Sequence, residues 1–116
     1  MPKLYLLLLV LTVILSTSFL IVAVNSGFTK LAPKSEIDTA INQAKYLYHQ
    51  KRARGEDFSN GPCLSNAVLP NWVADLVHNP RLHMDDLPQN QCPAYLEGTV
   101  QHFVELDLDG NLIRAR

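Results

Sequence analysis

Residues 100–116, with the sequence VQHFVELDLDGNLIRAR, decide the fold. Apolar and polar side chains alternate before and after Asp109 and Gly110, which is the period of a strand with one buried face. An Asp-Gly pair between two such runs is typical of a β-hairpin with a type I′ turn, in which both central residues take positive φ. We therefore predict a C-terminal antiparallel hairpin.

The turn also predicts which residues of the two strands lie opposite each other. The pairs on the face predicted to be buried are Leu106 with Ile113 and Val104 with Ala115. Glu105 lies opposite Arg114 on the other face, which is predicted to be exposed. Opposite charges on neighbouring strands attract each other, so this pair supports the same register.

An amphipathic helix is predicted for residues 36–53. Ser35 precedes it in a pattern close to a capping box, with Asp38 at the third position. Apolar residues recur at helical spacing and form one stripe: Ile37, Ala40, Ile41, Ala44, Leu47 and Tyr48. Gly55 follows the last turn, where glycine commonly ends a helix.

The segments between the helix and the hairpin are less regular. Residues 72–78 alternate as a strand with one buried face does, with a short helix as the alternative. Residues 64–69 are predicted to form a helical turn. Residues 56–62 and 79–93 are predicted to be loops, because they are rich in Gly, Pro, Asn and Asp.

The N-terminus carries a long apolar run. From Leu4 to Val24 the chain has 21 residues without a charge, a glycine or a proline. As a helix this run is about 31 Å long, which matches a hydrocarbon core of roughly 30 Å. We favour an uncleaved transmembrane helix in the lipid bilayer. The alternative is a cleaved signal peptide, with Lys3 as its short positive start.

These observations predict an α+β protein with three parts. Residues 1–24 form the membrane anchor or signal segment, and residues 25–34 form a linker. Residues 35–116 form a small soluble domain in which the amphipathic helix packs on a small antiparallel sheet. We expect a single-pass protein of the cell membrane with this domain on the extracytoplasmic side.

The charge of the chain limits its partners. Ten Lys and Arg against eleven Asp and Glu give a net charge of −1. Binding to nucleic acid through phosphate contacts needs a basic excess, so this class is excluded. The expected partners are the lipid bilayer and another protein of the cell envelope.

Cys63 and Cys92 are the only cysteines. In a small domain outside the cytoplasm, two cysteines favour a disulfide. It would close a loop of roughly 30 residues and stabilise the domain by about 3–4 kcal/mol. Two alternatives stay open: a pair of free thiols, or a Cys63 nucleophile with His78 or His102 as its base.

Two histidines and two acidic residues form a weak candidate metal site: His78, His83, Asp85 and Asp86. Their spacing is not that of a helical zinc pair. We therefore predict no metal site and no cofactor. The chain contains no Walker loop, dinucleotide fingerprint or Gly-x-Ser-x-Gly motif, so no catalytic residue is assigned.

Three stretches carry a resemblance, namely 61–65 (GPCLS), 78–81 (HNPR) and 102–107 (HFVELD). Together they cover roughly the C-terminal half, and they resemble short uncharacterised bacterial proteins with one N-terminal membrane segment. The resemblance implies a single-pass, extracytoplasmic protein and no particular activity. We predict a structural or interaction module. The alternative is a small hydrolase or metal-dependent enzyme that uses Cys63 or the histidines.

Overall fold

The computed structural model describes residues 1–25 and 31–116, and within the first range it describes side chains up to residue 17. The chain divides into two compact units, Met1–Lys30 and Leu31–Arg116. Half of the linker predicted for residues 25–34, namely residues 26–30, lies outside the described residues.

The first unit contains helix α1, Pro2–Asn25. Its described side chains, up to residue 17, are all exposed. Hydroxyls along it bond back to the helix backbone: Thr12 donates to the Leu9 carbonyl at 2.8 Å, and Ser16 donates to the Val13 carbonyl at 2.9 Å. Among the described residues, no helix has both the length and the apolar character needed to cross a bilayer. The transmembrane helix predicted from the sequence is therefore not supported.

The second unit is an α+β domain, which confirms the predicted class. Its longer elements are α2 (Lys34–Ala53), β1 (Cys63–Leu69), β2 (Trp72–Leu76), β3 (His102–Leu106) and β4 (Leu112–Ala115). The four strands form one sheet in the order β1-β2-β3-β4. Helix α2 confirms the prediction for residues 36–53. It begins at Lys34, preceded by Pro33, and it has no side-chain cap, so the predicted capping role of Ser35 is wrong.

The sheet is mixed, and the prediction of an antiparallel sheet is wrong at its centre. Strands β2 and β3 run parallel, from Trp72 beside His102 to Leu76 beside Leu106. A parallel pair needs a long crossover connection, and residues 77–101 supply it. This crossover was predicted to be a loop over residues 79–93. It contains instead two 3-10 turns, His83–Asp86 and Pro88–Asn90, and the short helix α3, Pro93–Leu96.

The main core lies between α2 and one face of the sheet. Its buried members are Ala40, Ala44, Tyr48, Phe58, Leu64, Trp72, Ala74, Leu76, Val104 and Leu106. Two aromatic side chains of this core also make hydrogen bonds between the helix and other parts of the domain. The Trp72 indole N–H donates to Glu36 Oε1 at 2.7 Å, and the Tyr48 hydroxyl donates to the Leu108 carbonyl at 2.8 Å.

Strand β1 replaces the helical turn that was predicted for residues 64–69. It pairs antiparallel with β2, and the register is irregular on both sides of Ser65. Asn71 makes the reversal between the two strands with a φ of +64°. Pairing with β2 therefore decides the conformation of β1, which shows no clear alternation of its own.

The C-terminal hairpin confirms two of the three predicted strand pairs. Val104 lies beside Ala115, and Glu105 lies beside Arg114. The third pair is wrong, because an irregularity after Glu105 brings Leu106 beside Leu112. Ile113 is 37% exposed and lies outside the main core.

The hairpin turn is also not of type I′. Of its two predicted central residues, only Gly110 has positive φ, at +86°. The Gly110 amide donates to the Asp107 carbonyl at 3.0 Å, and the Asp107 amide donates to the Asn111 carbonyl at 2.8 Å. This is a three-residue loop, the next most common kind of hairpin connection. The Asp107 carboxylate stabilises it by accepting from the amides of Asp109 and Asn111.

Candidate functional site

The candidate site lies on the sheet face that α2 does not cover. Because side chains alternate along a strand, Val73 and Asp75 point away from the main core, as do Phe103 and Glu105 on the next strand. Val73 and Phe103 pack with Cys92 in a second, smaller core. A cleft of about 270 Å³ opens beside this cluster.

We call this cleft the arginine cleft after Arg81, Arg114 and Arg116, which all line it. Its other polar walls come from Asp75, Gln91, Tyr95 and Glu105. A cleft of this volume lies just below the range of about 300–1,000 Å³ that is typical of ligand pockets, so it has space for a small chemical group.

Two acidic side chains lie next to each other in the cleft. The parallel register places Asp75 directly beside Glu105, and each is only 8% exposed. Burial, together with the negative charge of Glu105, raises the pKa of Asp75 to about 8. The Leu76 amide, which donates to Asp75 Oδ1 at 3.0 Å, and the charge of Arg81 act against this rise. Asp75 therefore carries its proton at neutral pH and can donate it in a hydrogen bond.

Glu105 has two cationic neighbours. Arg114 donates to it through Nε at 3.2 Å and Nη2 at 3.0 Å, and Arg81 Nη1 lies 3.6 Å from Oε2. The cross-strand pair of Glu105 and Arg114 is confirmed. The prediction that it lies on an exposed face is wrong for Glu105. The crossover from residue 77 to 101 contributes Arg81, Gln91, Cys92 and Tyr95 to the cleft, so this face is partly covered.

Aromatic and cationic side chains form the other wall. The guanidinium carbons of Arg114 and Arg116 lie 5.1 and 5.4 Å from the centre of the Phe103 ring. Tyr95 meets the same ring edge-on, with 5.2 Å between centres. Arg114 and Arg81 are held by carboxylates, whereas Arg116 has no ion-pair partner in residues 1–25 and 31–116.

Cys63 and Cys92 form a disulfide, with their Cα atoms 4.8 Å apart, which confirms the favoured interpretation. The bond ties the crossover to β1, and Cys92 also lines the cleft. Neither sulfur is a thiol, so Cys63 does not act as a nucleophile in this state. His102, one of the bases considered for it, stacks on Trp72 with 4.9 Å between ring centres.

The weak metal candidates do not converge. His78 Nδ1 lies 2.8 Å from Asp85 Oδ1, whereas Asp86 pairs with Arg81 at 2.9 Å and His83 is exposed. Among the residues the structure describes, no group of three or more His, Cys, Asp or Glu could hold a metal ion.

The hydrogen bonds around Asp85 give it a structural role. It is fully buried, and its carboxylate accepts from the amides of Leu82 at 2.8 Å and His78 at 3.1 Å. Burial acts to raise the pKa of Asp85, but these hydrogen bonds and the His78 ring outweigh it, so the pKa lies below its usual value. Asp85 thereby fixes the start of the crossover.

Sequence reasoning did not select Asp75, Arg81, Tyr95 or Arg116. One signal was present: the run WVADL has a single polar residue, and the whole strand is buried. A buried acidic residue of this kind is uncommon without a partner and points to a site.

Comparison with protein-family models, curated proteins and solved structures finds no match for this chain.

Proposed function

We propose that this protein is a membrane-attached interaction module of the cell envelope. The apolar N-terminal run attaches the chain to a lipid bilayer as a single-pass anchor. The second unit, Leu31–Arg116, lies on the extracytoplasmic side and offers the arginine cleft to a partner.

The apolar surface of α1 carries this proposal. Eleven large apolar side chains from Leu4 to Leu15 are exposed within the part of the chain whose side chains are described. Moving one such side chain out of water is favourable by about 1.5–3 kcal/mol. In the sequence the uncharged run continues to Val24, so lipid is the environment that lowers its free energy most.

The disulfide supports the extracytoplasmic side. Disulfides persist in oxidising compartments and are rare in reducing ones. A domain of this size buries a limited core, so a cross-link contributes a large part of its stability.

The experiment is membrane fractionation of cells that express the full chain with a C-terminal tag. We expect the protein in the membrane fraction after an alkaline wash, with an intact mass that includes residues 1–24. The tag should be accessible to protease on cells whose outer barrier has been opened. A soluble protein of full mass would contradict the proposal, and a mass that begins after Val24 would show a cleaved signal peptide instead.

Matched variants separate lipid attachment from misfolding. Leu8→Lys combined with Leu11→Lys should release the protein, because each charge in the centre of a bilayer costs about 2.5–3.5 kcal/mol. Leu82→Lys introduces the same charge at a side chain that is 47% exposed in the second unit. This control should stay in the membrane fraction.

A further inference from the structure

We propose that the arginine cleft binds a small organic carboxylate, held between the guanidinium of Arg116 and the carboxyl group of Asp75. The inference deepens the proposed function by naming the class of ligand that the module takes. It rests on two side chains of the cleft that have unused hydrogen-bonding capacity.

Arg116 is the first of these side chains. Its backbone pairs with Phe103, through bonds of 2.9 and 3.0 Å, so the position of the residue is fixed at the rim of the cleft. Its guanidinium contacts the Phe103 ring and makes no ion pair or hydrogen bond within the described ranges. A planar guanidinium with unpaired donors matches the two oxygens of a carboxylate.

Asp75 is the second. Its Oδ1 accepts from the Leu76 amide, and its Oδ2 has no hydrogen-bond partner among the described residues. In the same part of the chain, no fully buried side-chain oxygen or nitrogen lacks a partner. Because Oδ2 lacks a partner, it is not one of the fully buried atoms. A ligand in the cleft can reach it, although Asp75 as a whole is more than nine-tenths buried. A carboxyl group in this position gives or receives one hydrogen bond with a ligand.

The sheet geometry places the two groups at a suitable separation. Asp75 on β2 lies beside Glu105 on β3, and Arg116 lies beside Phe103 on β3. Phe103 and Glu105 are two residues apart along that strand. The two backbones are therefore about 10 Å apart across the sheet and about 7 Å apart along it. The long arginine side chain covers much of this distance, which leaves room for one small polar group.

The charges select an anion. Three arginines line the cleft against one ionised carboxylate, Glu105, since Asp75 is protonated at neutral pH. Asp86, outside the cleft, also pairs with Arg81, so the positive charge left for a ligand is that of Arg116. A cation would be repelled here. One unpaired guanidinium and one O–H donor match a carboxylate with a single negative charge, whereas a phosphate dianion would keep an unmatched charge. Val73, Tyr95 and Phe103 offer apolar surface to the rest of the ligand.

Binding should weaken at alkaline pH. The charged groups that act on Asp75 are Glu105 on β3, and Arg81 and Asp85 on the crossover. Above the pKa of Asp75, about 8, its donor is lost and a second negative charge faces the ligand. The arginines keep their charge throughout this range.

The test is an NMR titration of the isotope-labelled full chain in detergent micelles, so its result does not depend on attachment to a membrane. The probes are benzoate, its neutral and cationic shape analogues benzamide and benzamidine, and phenyl phosphate. We expect saturable shifts from benzoate at the Arg116 side chain and along β3 and β4. Benzamide and benzamidine should bind at least about tenfold more weakly, the loss expected for a charge-assisted hydrogen bond.

Three variants complete the test. Arg116→Gln should lower benzoate affinity by about tenfold, whereas Arg54→Gln, at an exposed arginine after α2, should leave it unchanged. Asp75→Asn keeps a donor, so it should bind benzoate at about pH 7 and lose the fall in affinity that the wild type shows by about pH 9.

Four outcomes would overturn the inference. These are no saturable benzoate binding, equal binding of benzoate and benzamide, unchanged affinity in Arg116→Gln, and tighter binding of phenyl phosphate than of benzoate. If fractionation shows a membrane protein and benzoate fails to bind, the proposed function stands and only the ligand class is wrong.

Discussion

Replacing Gly61 by alanine should destabilise the second unit strongly, although it adds only one methyl group. Gly61 has a φ of +64°, and a Cβ built on it would lie 2.5 Å from Asp85 Oδ1 and 3.0 Å from the Leu76 carbonyl oxygen. The first of these distances is shorter than any tolerated contact, so the buried Asp85 carboxylate has to move.

The expected cost has two parts. A side chain at positive φ costs about 1–2 kcal/mol, and the reduced freedom of the unfolded chain offsets about 0.4–1 kcal/mol of this. Displacing Asp85 weakens its bonds from the amides of His78 and Leu82, and a hydrogen bond to a charged group contributes about 1.5–3 kcal/mol. We expect Gly61→Ala to lower the free energy of unfolding by about 2–5 kcal/mol.

Gly55→Ala is the matched control. Gly55 has a φ of +79°, and a Cβ there would meet nothing within 4 Å. Only the backbone cost remains, so the free energy of unfolding should fall by about 1 kcal/mol or less. Both variants are measured by urea unfolding of the full chain in detergent, followed by the fluorescence of Trp72, which is the only tryptophan and is buried. Equal losses in the two variants would refute the role assigned to Asp85.

Asp75→Asn should flatten the dependence of stability on pH. The folded-state pKa of Asp75 is about 8, above the value of about 3.9 in an unfolded chain. The wild type therefore loses stability as pH rises between these values, which unfolding at successive pH values measures against the variant. Reductant should lower the Tm of the wild type to that of Cys92→Ser, since closing a loop with a separation of 29 residues contributes about 3–4 kcal/mol; an unchanged Tm would argue against the bond. Glu105→Gln should destabilise more than Asp38→Asn in urea unfolding, because Glu105 is buried between two arginines and the Lys34–Asp38 pair is exposed.

The elements that the sequence predicts well are those whose signal is local. The apolar stripe of α2 runs over about three turns, and three of its members, Ala40, Ala44 and Tyr48, are buried in the core. The disulfide follows from a count of two cysteines in a small domain. The partners of Glu105 and Val104 follow from alternation on the two sides of one turn, even though the turn itself is of another type.

The errors occur where distant residues or one side chain decide the conformation. β1 has the mixed burial of an edge strand, so its sequence carries little periodicity, and its pairing with β2 supplies the missing preference. In the hairpin, the Asp107 carboxylate accepts from two backbone amides of the loop. It thereby stabilises a three-residue connection over the two-residue turn that Asp109 and Gly110 favour.

The site could not be predicted because it depends on the direction of one strand. In the observed parallel pair, Asp75 lies beside Glu105 and Val73 lies beside Phe103. Reversing β3 about its centre in an antiparallel pair would place Asp75 beside Phe103 and Glu105 beside Val73. The two carboxyl groups would then no longer be neighbours, and the negative charge of Glu105, which adds to the effect of burial in raising the pKa of Asp75, would be moved away from it. The 77–101 crossover, which permits the parallel pairing, therefore also determines the electrostatics of the cleft. It brings Arg81 to Glu105 and covers the face on which both acids are buried.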